Sequence, residues 1–467
     1  MNTITATERL SDYLEMFAEL QKRTARQPAW LRTLREDAFA RFCEMGFPTT
    51  KDEDWRFTNV KAISQTPFRL LPDTHQRITP ADLQAFRIPR AACRAVFVNG
   101  VFAPQLSDPE LSDLRSLPPG VKVGGLADEI AQNPAALEPH LGRYINYGRD
   151  GFSALNTAFI EDGAYVYLPR RTVLEAPIHL LFISAGNGDP AMAHPHSLIV
   201  AEDETQASIV EDYISLGSGA FFSNVVTELA AGENAVLSHY LIEREDLQAF
   251  NISTLRMQQA RSANVSSHSV LLGGALVRNN VHPVLGGEGG ECLINGLFIG
   301  NGRQHMDNYM LVEHASPHCS SRQFYNGILD GHSHGVFHGR IIVHKDAQKT
   351  DAKQTNRNLL LSDDAQIDTK PQLEIYADDV KCTHGATIGQ IEENALFYMR
   401  SRGIDEASAR RLLLFAFAGE SLECMNCAAV REYLAAIVRQ SLPEGRPAPA
   451  SGAVVHEAKE RHWEEVG

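Results

Sequence analysis

Two residues in this chain have the types and spacing for metal chemistry: Cys382 and His384, set two apart in Lys-Cys-Thr-His-Gly. The run before them, QLEIYADDVKC, alternates and is rich in β-favouring types, which predicts a strand ending in a Gly-bounded turn near Gly385. Side chains at i and i+2 of a strand share one face. A thiolate beside an imidazole suits iron, copper or zinc far better than calcium or magnesium. Two ligands leave a tetrahedral site unfilled, so a metal or iron-sulfur cluster held here needs donors from substrate, from elsewhere in the chain or from a second polypeptide. Plain packing stays open on the residues alone, because free cysteine is among the most often buried residue types.

Other candidate groups favour structure over chemistry. His332, His334 and His338 in DGHSHGVFHG are flanked by glycines and have no acid or thiol close in sequence. They are expected to point to different faces and to serve as loop and coil wall rather than as a metal cluster. Cys424 and Cys427 have dithiol spacing, but they fall in a helix predicted from about Cys424 to Arg439, which favours packing over redox work. No Gly-rich loop ends in Lys-Ser/Thr, so the chain is expected to bind no ATP. No Gly-x-Ser-x-Gly elbow lies between a strand and a helix. A self-sufficient active site is therefore not expected.

The elements that position these residues fall into five stretches. Residues 1–92 read as a helical region: Leu10, Tyr13, Leu14, Phe17 and Leu20 recur at helical spacing, and Pro28 opens a second helix. Within it, Trp55 among charged neighbours reads as an anchored aromatic on a solvated face. Residues 93–163 read as a mixed connector after a strand at AVFVNGVFA, and 164–388 as a run of short strands. In that run Ala207, Ala235, Ala263 and Glu291 recur at an interval of 28, and Asp-Ala-Gln recurs at 346 and 364 as if marking one short coil. Short strands without intervening helices or hairpin turns predict a solenoid of parallel strands, ahead of a sandwich. Residues 389–442 return to helical period, with Asp405 capping ASARRLLLFAFA, whose nearly continuous apolar character demands burial in its own domain or on a partner. Residues 443–467 read as a loosely attached tail.

Composition narrows the class further. The 467 residues are 43% hydrophobic and 22% charged, ordinary for a globular chain. A net charge of -15 opposes nonspecific binding to nucleic acid or an anionic membrane, and neither is expected as a partner. Seven scattered cysteines form no disulfide framework, and the start lacks a secretory signal, so a cytoplasmic protein is expected.

The string LEIYADDVKCTHGATIGQIEENALFYMRSRGI, with DAQKTDAKQTNRNLLLSDDAQIDTKPQ before it, closely resembles the SufB/SufD family of the Suf iron-sulfur cluster assembly system. The likeness extends from about Ala95 to about Glu420 and lies on the SufD side of the family: SufB carries a cysteine where this chain has Ala365, and Asp-Glu-Asp-Trp-Arg-Phe-Thr around Trp55 looks like SufD. The resemblance implies a mainly β protein with a right-handed parallel β-helix core and flanking helical regions. It also implies a non-enzymatic subunit that pairs with a SufB-like paralogue and docks a SufC-like ATPase through its C-terminal helices. A transient iron-sulfur cluster would be shared with the partner, with Cys382 and His384 as candidate iron or cluster ligands at the interface and flavin use left open. Two other readings stand beside it: a β-helix polysaccharide lyase or hydrolase, and a structural paralogue that binds no metal.

Overall fold

The computed structural model describes residues 6–71, 78–108 and 117–443. Of the expected loose tail, all but Pro443 lies outside these residues. Two sheets wind into a parallel β-solenoid of about seven turns, as the strand texture predicts. The first sheet runs from Lys122–Gly125 through Ala164–Leu168, His196–Ala201, Phe221–Ala231, Phe250–Gln259, Leu276–Leu285, His305–His314 and His334–Val343 to Gln366–Ile375. The second runs from Val101–Phe102 through Cys93–Val98, Ile178–Asn187, Gln206–Ser218, Val236–Arg244, Asn264–Leu271, Glu291–Gly300, Ser320–Leu329 and Asp351–Leu360 to Lys381–Gly389. From His196–Ala201 onward the chain alternates between sheets, so each strand pairs with the next but one. Only the pairs at the first edge, within 93–168, are antiparallel. Part of the stretch expected as a connector, 93–163, thus already belongs to the sheets: Cys93–Val98 pairs in parallel with Ile178–Asn187.

One turn of each coil is built the same way. Arg171, Glu204, Asn234, Ser262, Gly289, His318 and Lys349 all have positive φ, from 55° to 72°. The N–H of each donates to the carbonyl of the residue just before the equivalent position one coil on: Glu204 to Glu233, Asn234 to Arg261, Ser262 to Glu288 and onward to Lys349 with Asp379. These left-handed residues turn the chain from one sheet to the other and tie coil to coil. The small residue that follows, Ala235, Ala263 or Gly290, lies against the interior.

The sequence interval of 28 is therefore only part of the pattern. Registers between neighbouring second-sheet strands step by 30 (Gln206 to Val236), 28 (Val236 to Asn264) and 27 (Asn264 to Glu291). Ala207 pairs with Leu237 rather than with Ala235. The first Asp-Ala-Gln triplet lies in the turn before Asp351–Leu360 and the second runs into the start of Gln366–Ile375, strands of opposite sheets, so they mark half a coil.

Alternate side chains face inward and stack along the axis. Leu237, Val265, Cys292, Phe298, Tyr325 and Phe337 are among the buried residues of this core. Each outer face is covered by helices. Ala6–Arg23, Ala29–Met45 and Gly151–Ala158 pack aromatic rings over the first sheet: Phe17 stacks on Phe39 at 4.0 Å, and Phe152 meets Phe222 edge-on at 5.8 Å. Asp405 caps the helix Glu406–Glu423, accepting from the Ser408 N–H. This helix and Ala428–Ser441 lie on the second sheet, where Leu414, Leu422, Val430 and Leu434 bury Val210, Ile242, Val270 and Ile299. The predicted burial of this segment is thus met on the solenoid itself. Among the described residues no helix is long and apolar enough to cross a membrane.

Candidate functional site

The last strand of the second sheet, Lys381–Gly389, carries Cys382 and His384. Cys382 stands at its start rather than at the end of a strand: Gln372–Ile375 finishes the preceding strand, and a turn through 376–380 separates the two. The alternation in QLEIYADDVKC is interrupted by that turn, which the apolar pattern conceals. The turn is fastened to the coil below by Lys349 N–H to Asp379 C=O at 2.7 Å and Asp379 N–H to Gln348 Oε1 at 3.0 Å.

Register places Cys382 beside Ala352 and His384 beside Gln354 on Asp351–Leu360, the strand that pairs with Lys381–Gly389 among the described residues. Cys382 is half-buried against the interior core. His384, two residues on and therefore on the same face, is exposed. Below it, Gln354 is buried with no partner for its Oε1, so a polar group of the lumen waits directly under the histidine's rung. Burial pushes the Cys382 thiol up, the Ala352 backbone hydrogen bond holds it partly down, and Asp351 adds a smaller upward push. An arriving metal must therefore displace a proton from this sulfur, and its binding strengthens as pH rises. Among the described residues no group of three or more His, Cys, Asp or Glu side chains can hold a metal ion. The pair has no third ligand within the described chain.

This coil is also where the solenoid stops. Among the described residues no strand pairs with the outer edge of either Lys381–Gly389 or Gln366–Ile375. Ile375, Tyr376 and Ile388 are 41%, 62% and 52% exposed there, on a surface that every earlier coil covers with its successor. Open edge N–H and C=O groups flanked by apolar side chains form a template for another chain. A second set of exposed apolar side chains stands on the C-terminal helices, with Phe397 74% and Leu412 51% exposed.

The other sequence candidates separate. His334 and His338, expected on different faces, share the outer face of His334–Val343, as even spacing requires. His334 Nε2 lies 2.8 Å from Asp368 Oδ2, an acid distant in sequence that the coil brings alongside, and His338 Nε2 lies 2.7 Å from Gln372 Oε1. His332 stands in an exposed turn facing Asp364. Cys424 and Cys427 are not inside a helix: Cys424 ends Glu406–Glu423, and Cys427 precedes Ala428–Ser441, its N–H donating to Tyr240 Oη. Trp55 is buried as expected, under the Arg278 guanidinium at 3.8 Å, but its acidic neighbours do more than face solvent. Glu53 pairs with Lys370 on the last strand of the first sheet. Sequence reasoning passed over Arg278 because its partners, Trp55, Tyr309 and Asp307, lie on separate coils and on the N-terminal segment.

Comparison with known proteins points one way. Residues 182–417 match the family model described as SUF system FeS cluster assembly, SufBD core domain, and residues 7–180 match the SufBD protein N-terminal region. The chain is 32% identical to the iron-sulfur cluster assembly protein SufD of Escherichia coli over 403 residues, 86% of this chain and 90% of that one. It is 35% identical to a SufBD family protein of Synechocystis over 82% of this chain and 85% of that one. With SufD of Bacillus subtilis the identity is 25%, over 92% and 97% of the two chains.

Proposed function

This chain belongs to the SufBD family of iron-sulfur cluster assembly proteins, and from that premise we propose that it is the SufD-like, non-enzymatic subunit of a cytoplasmic assembly scaffold. The observation that carries the proposal is the uncapped last coil, which joins an unpaired strand edge, half-exposed apolar side chains and an incomplete ligand pair. In this reading a SufB-like paralogue seats its own last coil on Lys381–Gly389 and Gln366–Ile375. The pairing covers Ile375, Tyr376 and Ile388, and the partner supplies the donors that Cys382 and His384 lack. Iron and sulfide are cargo, held at the seam while a cluster forms.

A SufC-like ATPase docks on the C-terminal helices of 389–442, where Phe397, Tyr398 and Leu412 stand free of the solenoid. Nucleotide chemistry then belongs to that ATPase, because this sequence has no phosphate-cradling loop. The stretches read from the sequence divide the labour: the described residues of 1–92 and 93–163 start the solenoid and cover the outer face of its first sheet, 164–388 continue it, and 389–442 supply the docking helices.

Co-expression with the SufB-like and SufC-like proteins tests the proposal. The tagged chain is expected to carry both partners through purification. Ile388→Arg, which sets a charge in the seam, should lose the SufB-like partner while keeping the ATPase. Undiminished pairing in that variant would place the partner elsewhere.

A further inference from the structure

Away from the open end, a groove of about 510 Å³ lies between the N-terminal segment and the outer face of the first sheet. Elsewhere this face is buried under aromatic rings, but here its floor is polar. Register aligns Arg256 with His282 on the next coil, and Leu311, one coil beyond His282, with Arg340 on the coil after that. Pro48, Asp54, Trp55 and Arg149 form part of the opposite wall.

Of two neighbouring floor residues, His282 lacks a partner its burial requires and Arg256 is only weakly answered. The Arg256 side chain is only 15% exposed; Glu313, its ion-pair partner, is 3.5 Å away and shared with His344, and Glu228 acts on it from farther off. Its Nη1 donates at 3.3 Å to His282 Nδ1. Burial, before any effect of Arg256 and Arg278, pushes His282 down to about 3, so the ring is neutral. With Nδ1 accepting, Nε2 must carry the hydrogen, and it is buried with no acceptor. Burial likewise depresses Arg256 more than Glu313 restores it. A buried guanidinium with long contacts next to an unanswered imidazole N–H is costly unless something rich in acceptors fills the space.

The neighbouring charges are otherwise engaged. Arg278 pairs with Asp307 and lies between Trp55 and Tyr309. Glu53 is taken by Lys370, Asp52 by the Thr49 N–H and hydroxyl, and Asp150 by the Ser153 N–H and hydroxyl. Arg340 donates its Nε to Glu374 and stands at the edge of the floor with its outer nitrogens uncommitted to any described acid. The volume falls in the range of small-molecule sites and exceeds what a lone oxyanion fills.

We infer that this groove binds a small molecule through a phosphate or carboxylate group held by Arg256, His282 and Arg340. The site is distinct from the open last coil, so each stands or falls separately. Both headgroup chemistries present the oxygen acceptors the floor lacks, and a guanidinium fork matches either.

The test uses the full chain, with inorganic phosphate and succinate as separate probes at an ionic strength fixed with chloride. Thermal shift and titration calorimetry should show saturable binding of at least one probe. Phosphate alone binding assigns a phosphoryl ligand, and succinate alone a carboxylate. Arg256→Met should abolish binding, and the more exposed Arg340→Met, which keeps the fold readable if Arg256→Met does not fold, should weaken it by about tenfold or more. Absence of saturable binding by either probe up to about 10 mM overturns the inference. So does binding that Arg340→Met leaves unchanged.

Discussion

At its first coil the solenoid is closed by its own chain. The Cys93–Val98 strand turns back on Val101–Phe102, Asp162 accepts from the N–H groups of Phe102, Ala127 and Gly163, and Phe97 packs its ring on Phe102 and Phe182. At its last coil the same stacking simply ends, with Ile388 half-exposed and Cys382 half-buried. Closed and open ends are made of the same strand type and the same turn. What differs is whether residues of this chain arrive to complete the polar edge and cover the apolar side chains. A solenoid whose first end is sealed and whose last is bare has its stability at one end and a binding surface at the other.

Substitutions at the two ends should separate these roles. The largest effect on folding belongs to the closed end: Phe97→Ala is expected to cost about 3–5 kcal/mol, read by urea unfolding of the isolated chain. A loss as small as that of a surface substitution would mean the first end is loosely closed. Next comes the free helix face, where Leu412→Arg should release the ATPase at an unchanged melting temperature. Deleting everything after Arg402 is a poorer test, since it would also strip the second sheet of Leu414, Leu422, Val430 and Leu434.

The lumen nearer the first end adds a pH-dependent contrast. Burial raises Glu245 despite hydrogen bonds from Ser184, Asn251 and Ser223, and burial together with the Glu245 charge raises Glu243 further. Folded carboxyls with raised pKa bind protons more readily than unfolded ones, so their contribution is full below the ordinary carboxylate range and is lost as pH climbs toward the folded values. Glu245→Gln, whose amide can meet the unpartnered Asn251 Oδ1, should therefore raise the melting temperature at pH 8 and do so less at pH 5. An equal change at both values would show these acids to be ionised and answered. The smallest effect is expected at the open end: Ile388→Ala in the isolated chain should change stability by about 0.5 kcal/mol or less. A larger loss would mean that this end is already buried without a partner.

Much of this contrast could be read from residues. The run of short strands, the Asp405 cap and the two-residue spacing of Cys382 and His384 are local signals, and each has its counterpart in the structure. The coil period was harder to see because the left-handed turn position is filled by Arg, Glu, Asn, Ser, Gly, His and Lys, with no common residue to mark it, and the interval drifts with turn length. The break between Ile375 and Lys381 was missed because a strand, a short polar turn and another strand can mimic one alternating run. His334 with Asp368 and Arg256 with His282 are neighbours only across coils, which no local pattern reveals. That the second sheet ends at Lys381–Gly389 is likewise a fact of pairing.

The proposal that the open end is a shared site is tested most directly by anaerobic iron and sulfide content of the co-purified complex carrying His384→Ala. This exposed histidine supports no buried packing, so the complex should assemble with unchanged mass and melting temperature. If His384 is a ligand, its removal should lower bound iron and sulfide by at least about tenfold, since even residues that only support metal ligands affect affinity on that scale. Wild-type iron and sulfide in a normally assembled complex would contradict the account and leave His384 without a role at the seam.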